Sequence, residues 1–204
     1  MKTKFILGIV GSLIASSVFA LDPPPVGSSA PDFSLADAIG QTHSLSQYKG
    51  KYVVLEWFNP ECPFVKKHYG TGNMQKLQQE YTAKGVVWLT LNSNAPGTEG
   101  NITAEQAEKI AKAWNAHHTA LLLDPDGKAG RAYGAKNTPN MVVIDPAGKI
   151  VYEGAIDSKP TPNPADIPNS TNYVKAALDE SLAGKPVSQP TTKPYGCSVK
   201  YKSS

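Results

Sequence analysis

"YVVLEWFNPECPFVKKHYG", residues 52–70, decides the fold. Its first seven residues are β-branched and aromatic, short as a run and nearly all apolar. Such a run reads as a strand buried on both faces, the habit of a parallel sheet. The strand delivers the chain to Asn59-Pro60-Glu61-Cys62. Pro63 suits the first position of a helix, where its missing N–H costs nothing. The helix is expected to break at Gly70-Thr71-Gly72 and to stop at Gly85. Cys62 then falls at the N-cap, facing free N–H groups and the positive end of the helix dipole, a setting that stabilises a thiolate. Lys66, Lys67 and His68 add positive charge in the first turns, and Glu61 opposes them. A thiol of pKa ~8.5 is about 3% ionised at pH 7, whereas one lowered to ~6 is about 90% ionised. A buried, inert cysteine is the competing reading, but the proline-rich turn and its basic neighbours favour a reactive one.

Working outward, "VVWLTLN" is a second buried strand, and Thr103-Ala104-Glu105-Gln106 has the spacing of a capping box opening a helix to about Ala116. "ALLLD" is a third strand and "GKAGRAYGA" a short helix or turn. "MVVID", "PAGK" and "IVYEG" make a hairpin of two further strands. Upstream, "FSLADAIGQTHSLSQYKGK" reads as an N-terminal β-hairpin and a loop. "KPTPNPADIPNS" should wrap the surface, after which Ser170 or Thr171 caps the helix "NYVKAALDESLAG", stopped by Gly184. The alternation of strand and helix implies an α/β fold: a central mixed β-sheet with an antiparallel edge, helices on both faces and an N-terminal β-hairpin. Trp57 and Phe58 should pack beneath the Cys62 turn, with Trp88 and Trp114 as core or helix-packing residues. Tyr152, Glu153 and Asp157 read as surface positions.

The chain opens with a positive n-region at Lys2 and Lys4, an apolar stretch from Phe5 to Leu13, and small residues in Val18-Phe19-Ala20. Residues 1–20 thus have the layout of a secretory signal peptide. A membrane anchor is the alternative, but the stretch is short for a span and carries three serines. Cleavage after Ala20 leaves 18 basic against 17 acidic side chains, with no basic patch for nucleic acid. No spanning segment follows, so no membrane contact is expected after cleavage, and the location is periplasmic or secreted. Residues 21–25 form a proline-rich, mobile lead-in, residues 26–183 a single domain, and residues 184–204 a proline-rich tail without periodicity that carries Cys197. Two cysteines are too few for a disulfide scaffold, which leaves them free for chemistry.

The pattern "KGKYVVLEWF…C" before a helix, together with "SSAPDFSLADAIGQTHSLSQYKGK" and "NTPNMVVIDPAGKIVYEG", resembles the thioredoxin-like redoxins. Within them it is similar to the alkyl hydroperoxide reductase / thiol-specific antioxidant, or peroxiredoxin-like, branch. The resemblance implies a thioredoxin-like fold with a cis proline at Thr138-Pro139 beside the active cysteine. It also implies thiol–disulfide exchange or peroxide-linked antioxidant chemistry at Cys62. A disulfide or a peroxide would be the substrate, with an external thiol as reductant and no cofactor. Two departures matter. A thioredoxin has a second cysteine three residues on, where this chain has Val65. A peroxiredoxin has a threonine three residues before the cysteine and a separate arginine. Here Asn59 holds the first position, Pro139 lies near the second, and Arg131 is the chain's one arginine.

A lone attacking thiolate needs a resolving thiol, and Cys197 is the one candidate. The 13 residues from Gly184 to Gly196 could reach roughly 40 Å if extended, enough to cross one domain. Cys62–Cys197 is thus either a reversible redox pair or a structural staple, worth about 4–5 kcal/mol in the chain-entropy model. Candidate site residues are Cys62 and Cys197, with Pro139, Thr138, Pro63 and Lys66 shaping or tuning the site. Two other classes stay open. One is a copper-binding thioredoxin-fold protein using Cys62 and His68, with His43, His117 or His118 in reserve. The other is a non-catalytic interaction module.

Overall fold

The computed structural model describes residues 22–203, so residues 1–20, read as a signal peptide, lie outside the described residues. Fourteen regular elements follow in chain order: β1 (Ser34–Asp37), β2 (Thr42–Ser44), β3 (Val53–Trp57), α1 (Pro63–Gly70), α2 (Asn73–Ala83), β4 (Val87–Asn92), α3 (Ala104–Ala113), β5 (Ala120–Leu123), α4 (Lys128–Ala132), β6 (Asn137–Thr138), β7 (Asn140–Ile144), β8 (Ile150–Gly154), α5 (Tyr173–Leu182) and β9 (Cys197–Ser198). Seven strands form one sheet in the order β2-β1-β5-β4-β3-β7-β8, and β6 pairs with β9 alone. The β3–β4 and β4–β5 pairs are parallel, while β7, β8 and the β1–β2 hairpin attach antiparallel at the two sides. This is the α/β mixed sheet that the strand–helix alternation implied, and the thioredoxin-like fold that the family resemblance implied.

The central strand explains why the sheet is covered twice. Every residue of β3 is buried, and successive side chains of a strand point to opposite faces. Val54 joins one core with Met74, Tyr81, Trp88 and Leu178, under α1, α2 and α5. Val53, Leu55 and Trp57 join the other with Phe33, Leu89 and Tyr133, under α4 and the N-terminal segment. Each such side chain contributes ~1.5–3 kcal/mol. The predicted break at Gly70-Thr71-Gly72 separates α1 from α2. Thr103 accepts from the Gln106 amide as the capping box required. The cap of α5 is Asn172, which accepts from Lys175 N at 2.9 Å, and not Ser170 or Thr171.

The flanks of the described residues pack against the domain. Gly27 N donates to Ile150 O at 2.7 Å, tying the segment just after the lead-in to β8. The tail runs along the outer side of β8, with Glu153 N donating to Pro190 O and Thr192 N to Glu153 O. It then pairs β9 with β6 and reaches the loop after β4, where Ala95 N donates to Lys200 O at 2.7 Å. The physical reason is the open edge of β8, a row of unpaired backbone groups that the tail satisfies. Tyr152, Glu153 and Asp157, read as surface positions, are buried. Among the described residues no helix is long and apolar enough to cross a membrane.

Candidate active site

The turn between β3 and α1 is built by Asn59. Its Oδ1 accepts from Glu61 N at 2.8 Å, and its carbonyl accepts from Cys62 N at 3.2 Å. Cys62 is the N-cap of α1, with extended backbone, and Pro63 occupies the first helical position. Cys62 is fully buried, with Phe58 and Val65 in the same core. Its sulfur lies 3.1 Å from the carbonyl of Thr138, to which the thiol donates. Thr138-Pro139 is a cis peptide, in agreement with the sequence expectation.

The second sulfur arrives across the small β6–β9 ladder. Its register places Cys197 opposite Thr138, the residue whose carbonyl meets Cys62. Asn137 Nδ2 donates to Gly196 O at 2.9 Å, and Val199 N donates to Lys136 O at 3.0 Å, fixing the chain on both sides of Cys197. That placement brings Cys197 close enough to Cys62 for each thiol to shift the acidity of the other, and both are free thiols. Cys62 is buried whereas Cys197 keeps partial exposure.

Their acidities diverge in the sense opposite to that difference in burial. Burial raises the Cys62 pKa, but hydrogen bonds from Cys197 and from the Thr138 hydroxyl lower it below the ordinary thiol value. The Val65 amide at the third helical position adds a weaker pull, short of a formal cap hydrogen bond. Cys197 is pushed up to about 12 by burial, by its bond to Cys62 and by the Cys62 charge. The pair therefore loses its first proton from Cys62, and the Cys197 S–H stays to stabilise that thiolate.

The basic residues go elsewhere. Lys66 is exposed and lines a groove with Tyr69, Gln75 and Trp114. Lys67 is buried and pairs with Asp157, Nζ to Oδ2 at 3.2 Å. His68 is also buried, with Nδ1 2.9 Å from Asn73 Nδ2 and Nε2 3.4 Å from Tyr195 OH. Burial holds its pKa down to about 4 against the pull of Asp157. Among the described residues no group of three or more His, Cys, Asp or Glu side chains is arranged to hold a metal ion.

Two features escaped the sequence reading. Tyr195 in the tail donates its hydroxyl to Asp157. Glu56 is buried in β3 and accepts from Trp88 Nε1 at 2.8 Å, Tyr69 OH at 2.9 Å, Thr90 Oγ1 at 3.1 Å and Gln78 Nε2 at 3.2 Å. Its burial raises its pKa against those four donors. The signal for Glu56 was present, since it is the one acid inside an otherwise apolar strand.

A strand–turn–helix cysteine beside a cis proline, on this sheet, can be compared with known proteins. The family model described as AhpC/TSA matches residues 26–153. The chain belongs to the AhpC/TSA family. The matched part of this redoxin ends before Cys197. Thiol-disulfide oxidoreductase ResA of Geobacillus thermodenitrificans is 30% identical over 125 residues, 61% of this chain and 66% of the relative, just under two thirds of its length. Thiol-disulfide oxidoreductase ResA of Bacillus subtilis is 29% identical over 155 residues, 74% of this chain and 81% of the relative. A crystal structure of an uncharacterized conserved protein from Geobacillus kaustophilus matches at 30% identity and TM-score 0.75, covering 88% of this chain and 94% of that one. A putative thiol:disulfide interchange protein DsbE from Chlorobium tepidum matches at 28% identity and TM-score 0.52, covering 63% and 84%.

Proposed function

We propose that this redoxin is a thiol–disulfide oxidoreductase whose redox pair is Cys62 and Cys197. The observation that supports the reading is the β6–β9 register, which sets Cys197 opposite Thr138, the residue whose carbonyl accepts from the Cys62 thiol. The oxidoreductase relatives support the activity class. In the reducing direction, the Cys62 thiolate attacks one sulfur of a substrate disulfide, a Cys62–substrate bond forms, and the other substrate sulfur leaves as a thiolate. Cys197, giving up its proton, then attacks Cys62 Sγ. The second substrate thiol is released and the Cys62–Cys197 disulfide forms. Two electrons have passed to the substrate, and an external thiol reductant restores the dithiol. Because Cys62 is fully buried under the tail, the first step requires β9 to rise from β6.

Thr138 shapes the site through its carbonyl and hydroxyl, Pro139 by turning the chain beside Cys62, and Pro63 by opening the helix. Disulfides, in a protein or a small molecule, rank above peroxide as substrate, because Asn59 and Pro139 stand where peroxide-holding groups would be. The signal layout of residues 1–20 supports an exported protein working in the periplasm or outside the cell. The deciding experiment uses Cys62→Ser and Cys197→Ser with a model disulfide substrate. Cys197→Ser should accumulate a mixed disulfide on non-reducing electrophoresis, since Val65 cannot resolve it, and Cys62→Ser should form none. Absence of an adduct with both, with only a lowered melting temperature, would mark the pair as a staple and sink the reading.

A further inference from the structure

We propose that Tyr195 is the positioning residue of the dithiol site: its hydroxyl, held by the buried Asp157, fixes where the tail lies and so sets Cys197 against Cys62. The inference rests on the redox pair proposed above.

Tyr195 stands two residues before Cys197 and donates its hydroxyl to Asp157 Oδ1. That carboxylate is buried, and its other contacts are fixed. Oδ1 also accepts from Lys159 N at 2.9 Å, and Oδ2 lies 3.2 Å from Lys67 Nζ. Lys67 in turn donates to Lys159 O at 2.9 Å. Phe64, Lys67 and His68 belong to α1, the helix that Cys62 caps. The Phe64 and Tyr195 rings are 5.7 Å apart, Lys67 Nζ sits 5.7 Å from the Tyr195 ring centroid, and His68 Nε2 is 3.4 Å from the hydroxyl. One helix therefore carries the attacking sulfur at its start and the seat of the tail along its first two turns.

A buried ion pair seldom repays its own desolvation, so Lys67–Asp157 is weak evidence of stabilisation alone. What it supplies is a charged acceptor in a fixed place, and a hydroxyl bound to a carboxylate is among the stronger hydrogen bonds available. The contacts next to Cys197 are neutral ones, from Asn137 and Val199. Without the Tyr195 anchor the segment around Gly196 can pivot.

The anchor has two effects of opposite sense. It raises the effective concentration of Cys197 at Cys62, favouring the intramolecular disulfide. It also keeps the tail over Cys62, shielding that sulfur. Loosening it should weaken the disulfide and expose the nucleophile together.

The test is Tyr195→Phe in the full chain, which keeps the ring and removes the hydroxyl. Equilibration in glutathione buffers should show a Cys62–Cys197 disulfide about tenfold less stable, a potential ~30 mV higher for this two-electron couple. Iodoacetamide should alkylate Cys62 several-fold faster at its high-pH plateau. Tyr81→Phe is the control: its hydroxyl donates to Asp179 at 2.7 Å, on α2 and away from the tail, so it loses a comparable bond. Both quantities should stay at wild-type values there. Wild-type values for Tyr195→Phe, or equal changes in Tyr81→Phe, would overturn the proposal. A wild-type chain that forms no Cys62–Cys197 disulfide in any buffer would instead overturn the redox pair, and the alkylation comparison would still decide the anchor.

Discussion

Gly196→Ala should undock the tail at the site. Gly196 has φ +119°, where a side chain is strained, and a Cβ there would lie 2.0 Å from Thr138 O and 2.9 Å from Thr138 C. No rotamer change relieves a clash with backbone, so the β6–β9 ladder must open. The conformational cost is ~1–3 kcal/mol. The Asn137–Gly196 and Val199–Lys136 hydrogen bonds oppose opening by ~0.5–1.5 kcal/mol each. Backbone strain alone thus roughly cancels them, and the overlap with the Thr138 backbone tips the segment to the open state. Gly40→Ala, in the β1–β2 turn, is the comparison. It has φ +83° with nothing within 4 Å of a Cβ, so it bears only the backbone penalty of about 1–2 kcal/mol. Denaturant unfolding and the Cys62 alkylation rate should be measured on both. Gly196→Ala should unshield Cys62, whereas Gly40→Ala should lower stability alone. A Gly196→Ala protein with the wild-type alkylation rate, and a stability loss no larger than that of Gly40→Ala, would refute the reasoning.

Three further outcomes are expected. Burial, and then the neighbouring His117, hold the His118 pKa down to about 4. The unfolded chain therefore binds a proton between pH 6.5 and 4 that the folded chain refuses. Stability should fall as pH falls through that window, by roughly 3 kcal/mol at most, and His118→Gln should flatten the slope in denaturant titrations. Glu56→Leu strands four buried donors and should cost at least about 3 kcal/mol, with Glu56→Gln, which keeps an acceptor, losing less in thermal unfolding. Lys66→Ala should leave the pH midpoint of Cys62 alkylation unmoved, because its charge is exposed and screened; a clear upward shift would restore Lys66 as a tuning residue.

Much of the fold was legible because it is written in neighbouring residues. The apolar run 52–58, Pro63 after Cys62, the Thr103–Gln106 box and the hairpin around "PAGK" each specify local geometry through side-chain period, missing donors or turn preference. These placed Cys62 at a helix start, the one position in the chain where local sequence predicts chemistry. The tail had no such signature. Its order comes from β8 and β6, whose unpaired backbone groups capture residues 190–199, and an edge exists only once the sheet has formed. The same holds for Lys67. Sequence counts its charge as near Cys62, but the turn of α1 aims it at Asp157, 90 positions away, which the folded tail then buries. Local pattern therefore determined the helix-start cysteine and its scaffold. Tertiary structure decided what faces that cysteine, because contacts between Cys62 and Cys197, 135 residues apart, depend on where separate elements come to rest.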